Sequence, residues 1–121
     1  MDLSVDPDSG VSPFEQVRSG IAERINSGAL PVGAKLPTVR GLAAEVGIAA
    51  NTAAKAYREL EQAGLIETRG RAGTFVSAAG DRSAQRAADA AADYARTTHD
   101  LGIPPQEALA LARAALGLPQ S

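Results

Sequence analysis

Phe14, Val17, Ile21 and Ile25 recur three or four residues apart, while Arg18, Glu23 and Arg24 lie off their stripe, which is one apolar face of a helix. Ser12 can cap its start, Pro13 suits the first helical position and Glu15 would complete a capping box. Asn26-Ser27-Gly28 supplies the stop, so the pattern predicts a helix over 13–27. Leu30-Pro31-Val32-Gly33 reads as a tight turn. Leu36-Pro37 then leads to Thr38, a good cap for a short helix that ends near Gly47 with Leu42, Ala43 and Val46 facing inward. After the brief connection Ile48-Ala49-Ala50, a further helix runs from about Ala50 to Ala63, with Gly64 just past it and Ala53, Ala56, Tyr57 and Leu60 as its buried stripe.

Two helices joined by so short a link around Gly47 match a helix-turn-helix, whose second helix offers its polar N-terminal face to the major groove. The β-type segments Leu65–Arg69 and Gly73–Ser77 flank the turn Gly70-Arg71-Ala72, which predicts a two-stranded wing. Ala78-Ala79-Gly80 reads as a hinge. Beyond it, residues 82–99 suit a helix with Ala84, Ala87, Ala88, Ala91, Tyr94 and Ala95 along one side. Pro104-Pro105 opens a last helix with Leu109, Leu111, Ala112 and Leu116 on its apolar side before Gly117. Such small side chains bury little surface alone, so the tail helices need a partner. The expected fold is mainly α with a small β-wing. Its parts are a flexible segment over 1–11, a winged helix-turn-helix domain over 12–78 and a helical tail of two short helices over 79–121.

Composition narrows the chemistry. The 121 residues hold no cysteine, which removes disulfides, thiolate metal sites and cysteine nucleophiles together. The one histidine, His99, has no neighbouring ligands in sequence, and neither a glycine-rich phosphate loop nor metal-ligand spacing occurs, so neither an enzyme nor a cofactor or metal site is expected. No secretory leader pattern and no long apolar run is present, which suits a soluble, unprocessed cytoplasmic protein with no membrane partner. The net charge of −2 hides an uneven distribution. Residues 10–77 carry eight basic against six acidic side chains, and the acidic excess lies in Asp2, Asp6, Asp8 and the tail. Charge therefore permits binding to DNA without demanding it.

The register of these features resembles the GntR family of bacterial regulators. The matching residues are Gly28-Ala29-Leu30, Gly33 to Arg40 with Leu36-Pro37 inside it, Leu42-Ala43, Gly47-Ile48, Asn51-Thr52, Ala56-Tyr57, Leu60, Gly64-Leu65-Ile66 and Arg71 to Val76. The short tail resembles the YtrA subfamily, which implies dimerisation through residues 80–117. The resemblance also implies repression of a nearby operon, often one encoding an ABC transporter, from a partly palindromic DNA operator. A small effector, if one binds, would find room only between subunits or between tail and wing domain.

The resemblance also assigns the DNA-facing residues. Arg40 matches the family arginine after Leu-Pro and would grip guanine or phosphate; otherwise it is a surface helix charge. Asn51 and Thr52, on the first turn of the recognition helix, can reach phosphate or base edges or simply cap the helix. Lys55 would reach phosphate one turn on, with Arg58, Thr38 and Ala50 beside the same face. Lys35 would contact phosphate or remain a solvated loop lysine. Arg69, Gly70 and Arg71 form a wing tip suited to the minor groove, or a solvated turn. Ala49, Ala50 and Ala54 replace polar residues common in the family, which shifts specificity toward Arg40, thymine methyls and DNA shape. Those alanines also leave open a winged-helix module that binds protein instead of an operator. In the tail, the expected dimer interface comprises Ala87, Ala91, Tyr94, Leu109, Leu111, Ala112 and Leu116.

Overall fold

The computed structural model describes residues 1–78 and 83–120, so of the hinge expected at Ala78-Ala79-Gly80 the last two residues lie outside the described residues. Helix α1 spans Pro13–Ser27, where the Ser12 hydroxyl accepts the Glu15 N–H at 3.2 Å and Gly28 closes the C-terminus. The capping box is only half formed. The Glu15 carboxylate turns to the Arg18 guanidinium one helical turn on, an ion pair that holds the Glu15 carboxyl below its usual range and raises Arg18.

Helix α2 spans Val39–Val46, capped by the Thr38 hydroxyl, which accepts the Gly41 N–H at 3.0 Å. It ends at Gly47 with φ 75, a left-handed conformation that glycine adopts without Cβ strain and that turns the chain sharply into α3. Helix α3 spans Ala50–Gln62 and buries Ala53, Ala56, Tyr57 and Leu60. It packs against both α1 and α2. The small Ala53 and Ala56 let the helices approach, while Val17, Ile21, Leu42 and Leu60 fill the space between them.

Strands β1 (Ile66–Thr68) and β2 (Thr74–Val76) pair antiparallel, with Ile66 opposite Val76, Glu67 opposite Phe75 and Thr68 opposite Thr74. They are shorter than the pattern predicted: at one end the Leu65 N–H goes to the Leu60 carbonyl at the end of α3 while its carbonyl accepts the Ser77 N–H, and at the other Arg69 and Gly73 close the tip turn. The segment expected to be only a turn extends the sheet. Gly33 and Leu36 donate N–H groups to the Val76 and Thr74 carbonyls at 2.9 and 2.8 Å, and Ala34 accepts from Val76 at 2.9 Å. The wing is thereby bonded to the chain that leads into α2.

Ahead of α1, the segment read as flexible lays Leu3 on the core at 8% exposure, with Met1 and Val5 packed beside it. The Gln16 side chain bonds the backbone of Asp6 and Val11, and Arg24 donates to the Asp2 carbonyl at 2.7 Å.

The chain divides into two compact units, Met1–Ser83 and Ala84–Ser121. In the second, helices α4 (Ser83–Asp100) and α5 (Pro105–Ala115) form a hairpin turning at Gly102. Tyr94 donates its hydroxyl to the Ala108 carbonyl at 2.7 Å, and Thr98 satisfies its buried hydroxyl on the carbonyls of Tyr94 and Ala95. Its described buried residues are Thr98 and Ala108, a core of very small side chains. Among the described residues, no helix is long and apolar enough to cross a membrane.

Candidate nucleic-acid interface

Opposite the buried stripe of α3, helical periodicity places Asn51, Lys55 and Arg58 on one outward face, and all three are exposed. The helix starts without a side-chain cap, because Ala49 contributes only its carbonyl, which accepts the N–H groups of Thr52 and Ala53. Neither Asn51 nor Thr52 caps the helix. The first-turn N–H groups of Ala50 and Asn51 therefore face outward beside exposed Ala50 and half-buried Thr52, at the positive end of the helix dipole. The side chains of Arg58 and Asn51 make no hydrogen bond or ion pair to other described residues. Lys55 is engaged, with its ammonium 4.3 Å from the centroid of the Phe14 ring.

On α2, Arg40 lies across the helix from buried Leu42, exposed and without an ion pair among the described residues. Thr38 is exposed but already uses its hydroxyl oxygen as the cap. Lys35 is exposed on the segment that leads into α2. Its backbone bridges Phe75 at the edge of the wing, and its side chain runs so close to Gly73 that a Cβ there would lie 3.0 Å from Lys35 Cε.

The wing tip closes through the Arg69 N–H to the Gly73 carbonyl at 2.8 Å, with a short 3₁₀ turn over Gly70–Ala72. Gly70 has φ 54, so a side chain there would be strained. Strand alternation sends Glu67, Arg69 and Phe75 to the outer face, away from buried Ile66 and Val76. Arg69 there pairs with Glu67 at 2.7 Å and stacks over the Phe75 ring at 4.4 Å. Arg71 is exposed and unpaired among the described residues.

The same alternation puts Thr68 and Thr74 on the inner face. With Val39 of α2 and Ala54, Arg58 and Glu61 of α3 they line a groove of about 300 Å³ between the helix-turn-helix and the wing. Sequence reasoning missed these threonines and Glu61, whose carboxylate accepts the Thr68 hydroxyl at 2.9 Å. Their period-two spacing from Ile66 and Val76 was the available signal.

In the tail unit, Ala87, Ala91, Leu109, Leu111 and Leu116 are exposed, Ala112 is half-buried, and Tyr94 is bonded within its own hairpin. A groove of about 440 Å³ runs between α4 and α5, lined by Tyr94, His99, Ile103, Leu109 and Ala112 among others.

The chain's residues 13–76 match the family model of bacterial regulatory proteins, gntR family. It is 47% identical over 107 residues to the HTH-type transcriptional regulator Rv1152 of Mycobacterium tuberculosis, covering 88% of each chain. It is 43% identical over 76 residues to the HTH-type transcriptional repressor YtrA of Bacillus subtilis, covering 62% of this chain and 58% of that one. Among solved structures it resembles YtrA from Sulfolobus acidocaldarius, a GntR-family transcription factor. That likeness has a TM-score of 0.58 and 32% identity, over 73% of this chain and 93% of the other. It also resembles AraR(DBD) solved in complex with operator ORR3, with a TM-score of 0.53 and 29% identity over 60% and 88%. The family and these relatives are regulators rather than enzymes.

Proposed function

The chain belongs to the gntR family of bacterial regulatory proteins and is a transcription regulator with a winged helix-turn-helix DNA-binding domain; from that premise we propose that it binds a partly palindromic operator as a homodimer in the cytoplasm and represses a nearby operon, an ABC transporter operon being the first to examine. In this reading residues 12–78 hold the DNA and residues 79–121 join the two copies. The N-terminal turn of α3 enters the major groove, with Arg40, Asn51 and Thr52 at base edges or phosphate. Lys55, Arg58 and Lys35 meet phosphate, Thr38 and Ala50 lie beside them, and Arg69, Gly70 and Arg71 approach the minor groove.

The observation that carries the reading is Arg40. It is an exposed guanidinium with no ion pair among the described residues, held on a short helix that is capped at Thr38 and buried through Leu42. An unneutralised arginine on the firmly held first helix of a helix-turn-helix is free to make bidentate bonds to guanine or phosphate. The relatives named as a repressor and as a DNA-binding domain on its operator support the same reading.

The test is selection of bound fragments from sheared genomic DNA, followed by titration of salt and of Arg40→Ala on the fragment bound best. A recurring palindrome, affinity that falls steeply with salt and a loss of about ten- to hundredfold for the variant are expected. No enrichment over bulk DNA at moderate salt would overturn operator binding and favour a protein-binding module.

A further inference from the structure

The chain has two phenylalanines, and each carries a cation. Lys55 Nζ sits 4.3 Å from the Phe14 ring centroid, and the Arg69 guanidinium carbon sits 4.4 Å from that of Phe75. Both rings are half-buried, so one face is fixed by the fold and the other is open, while both cations are exposed. The two pairs arise in different parts of the domain. Phe14 is the second residue of α1 and reaches across to the outward face of α3; Phe75 lies on β2, diagonal to Arg69 on the outer face of the wing.

Neither ring is spent as a core side chain should be. Val17, Ile21, Ile66 and Val76 are almost wholly buried, whereas the larger phenylalanines stop at the rim, Phe14 only partly buried against the core. An aromatic face is electronegative and attracts a cation placed above it, most strongly where water is partly excluded. Lysine and arginine stems are otherwise among the most mobile side chains, and ordering them against phosphate costs rotamer entropy. A cation already resting on a ring has lost much of that freedom before DNA arrives. The Lys55 ammonium keeps N–H groups away from its ring for phosphate, and Arg69, whose Nε and Nη2 donate to Glu67 at 3.3 and 2.7 Å, keeps those of Nη1 at the edge of its plane.

We infer that Phe14 and Phe75 are positioning residues for DNA binding, aromatic platforms that hold Lys55 at the recognition helix and Arg69 at the wing in place for the phosphate backbone. The inference rests on the DNA-binding reading above. It adds two residues to the functional set, neither of which touches DNA, and gives the wing and the recognition helix one shared device.

The test has two parts. Proton NMR of the free protein reads ring-current shifts: the Lys55 Hε and Arg69 Hδ signals are expected upfield of the other lysine and arginine signals, returning to ordinary values in Phe14→Leu and Phe75→Leu respectively. Binding to the genomic fragment is then compared in double-mutant cycles. Each Leu variant is expected to weaken binding about threefold, Phe14→Trp to restore it, and Phe14→Leu to cost nothing further once Lys55 is alanine. Ordinary shifts in the wild type, or Leu effects that add to those of Lys55→Ala and Arg69→Ala, would overturn the inference and leave the rings as packing. DNA binding that ignores both Leu variants overturns it alone, whereas a wild type that binds no DNA overturns the functional reading as well.

Discussion

The Tyr57 hydroxyl donates a 2.7 Å hydrogen bond to the Pro37 carbonyl, tying the middle of α3 to the residue before the cap of α2. Pro37 holds the preceding Leu36 extended and has no N–H, so its carbonyl is its one backbone group able to make a hydrogen bond. Tyr57 thereby fixes the first helix of the helix-turn-helix, and with it Arg40, against the second. Tyr57→Phe keeps the packing and removes the bond, and is expected to lower unfolding stability in urea by about 1 kcal/mol. Burial, reinforced by the Glu45 charge, pushes the Tyr57 pKa up to about 12. Because the folded value lies above the unfolded one near 10, the unfolded chain loses this proton first as pH rises. Stability is then lost between about pH 10 and 12, by on the order of 2–3 kcal/mol from this group. Tyr57→Phe should flatten that alkaline slope; an unchanged slope would show that the phenol is not the group responsible.

The N-terminal segment gives a second prediction, because Leu3 occupies the place a side chain on Gly20 would need. A Cβ on Gly20 would lie 2.6 Å from Leu3 Cδ1. Alanine in mid-helix gains about 1 kcal/mol over glycine, but expelling Leu3 forfeits the burial of a leucine side chain, about 1.5–3 kcal/mol. The lost burial outweighs the gain in helix propensity. Gly20→Ala is expected to destabilise by roughly 1 kcal/mol, and Leu3→Ala by about 2 kcal/mol. Amide exchange over residues 1–11 should accelerate in both; a stabilised Gly20→Ala with protected residues 1–11 would mean Leu3 is not held there.

How far the sequence showed these features follows from the range of the interactions. The caps at Ser12 and Thr38, the stops at Gly28 and Gly47 and the buried stripe of α3 depend on spacing within one or two turns, and they stand where the pattern put them. Glu15 departs from its expected role because a capping-box glutamate and an i, i+3 partner of arginine look alike in sequence, and only geometry shows which neighbour takes the carboxylate. The bond from Gly33 and Leu36 to β2 joins residues some 40 apart, and a turn ending in glycine carries no local sign of it. The exposure of Arg40, Lys55 and Arg71 was legible from helical and turn position. The rings beneath Lys55 and Arg69 were not, since Phe14 reads in sequence as one more apolar position on α1.

At the wing, Glu67 neutralises one of the two arginines proposed to meet DNA. Its 2.7 Å pair with Arg69 is exposed, so its worth to stability is within about 0–1 kcal/mol. Its electrostatic effect on a polyanion is larger, because a carboxylate beside the phosphate backbone repels it. Glu67→Gln keeps the shape and removes the charge, while Phe75 still holds Arg69 in place. Affinity for the selected fragment is expected to rise about threefold at low salt, with the gain vanishing as salt is raised. A loss of affinity would instead mean that Glu67 aims Arg69.

The tail supplies the last prediction, from a mismatch between its core and its surface. Its described buried residues are Thr98 and Ala108, yet Leu109, Leu111, Leu116 and Leu118 are each about half exposed or more. A helix hairpin with so small an interior gains little from folding alone, and a leucine-rich outer face is what a second copy would cover. Glutamate at Leu109 and Leu116, which are 56% and 73% exposed, removes little internal packing and places charges where an apolar partner face would have to desolvate them. The double variant Leu109→Glu, Leu116→Glu should sediment as a monomer at micromolar concentration, with unfolding of the wing domain unchanged because both positions lie in the other unit. Affinity for a full palindrome should then drop by about tenfold or more, while affinity for an isolated half-site stays the same, since only the coupling of two binding events is lost. A folded wild-type monomer, or a double variant that remains dimeric, would move dimerisation to another surface. Equal losses on half-site and palindrome would instead place these leucines in support of the DNA-binding unit itself.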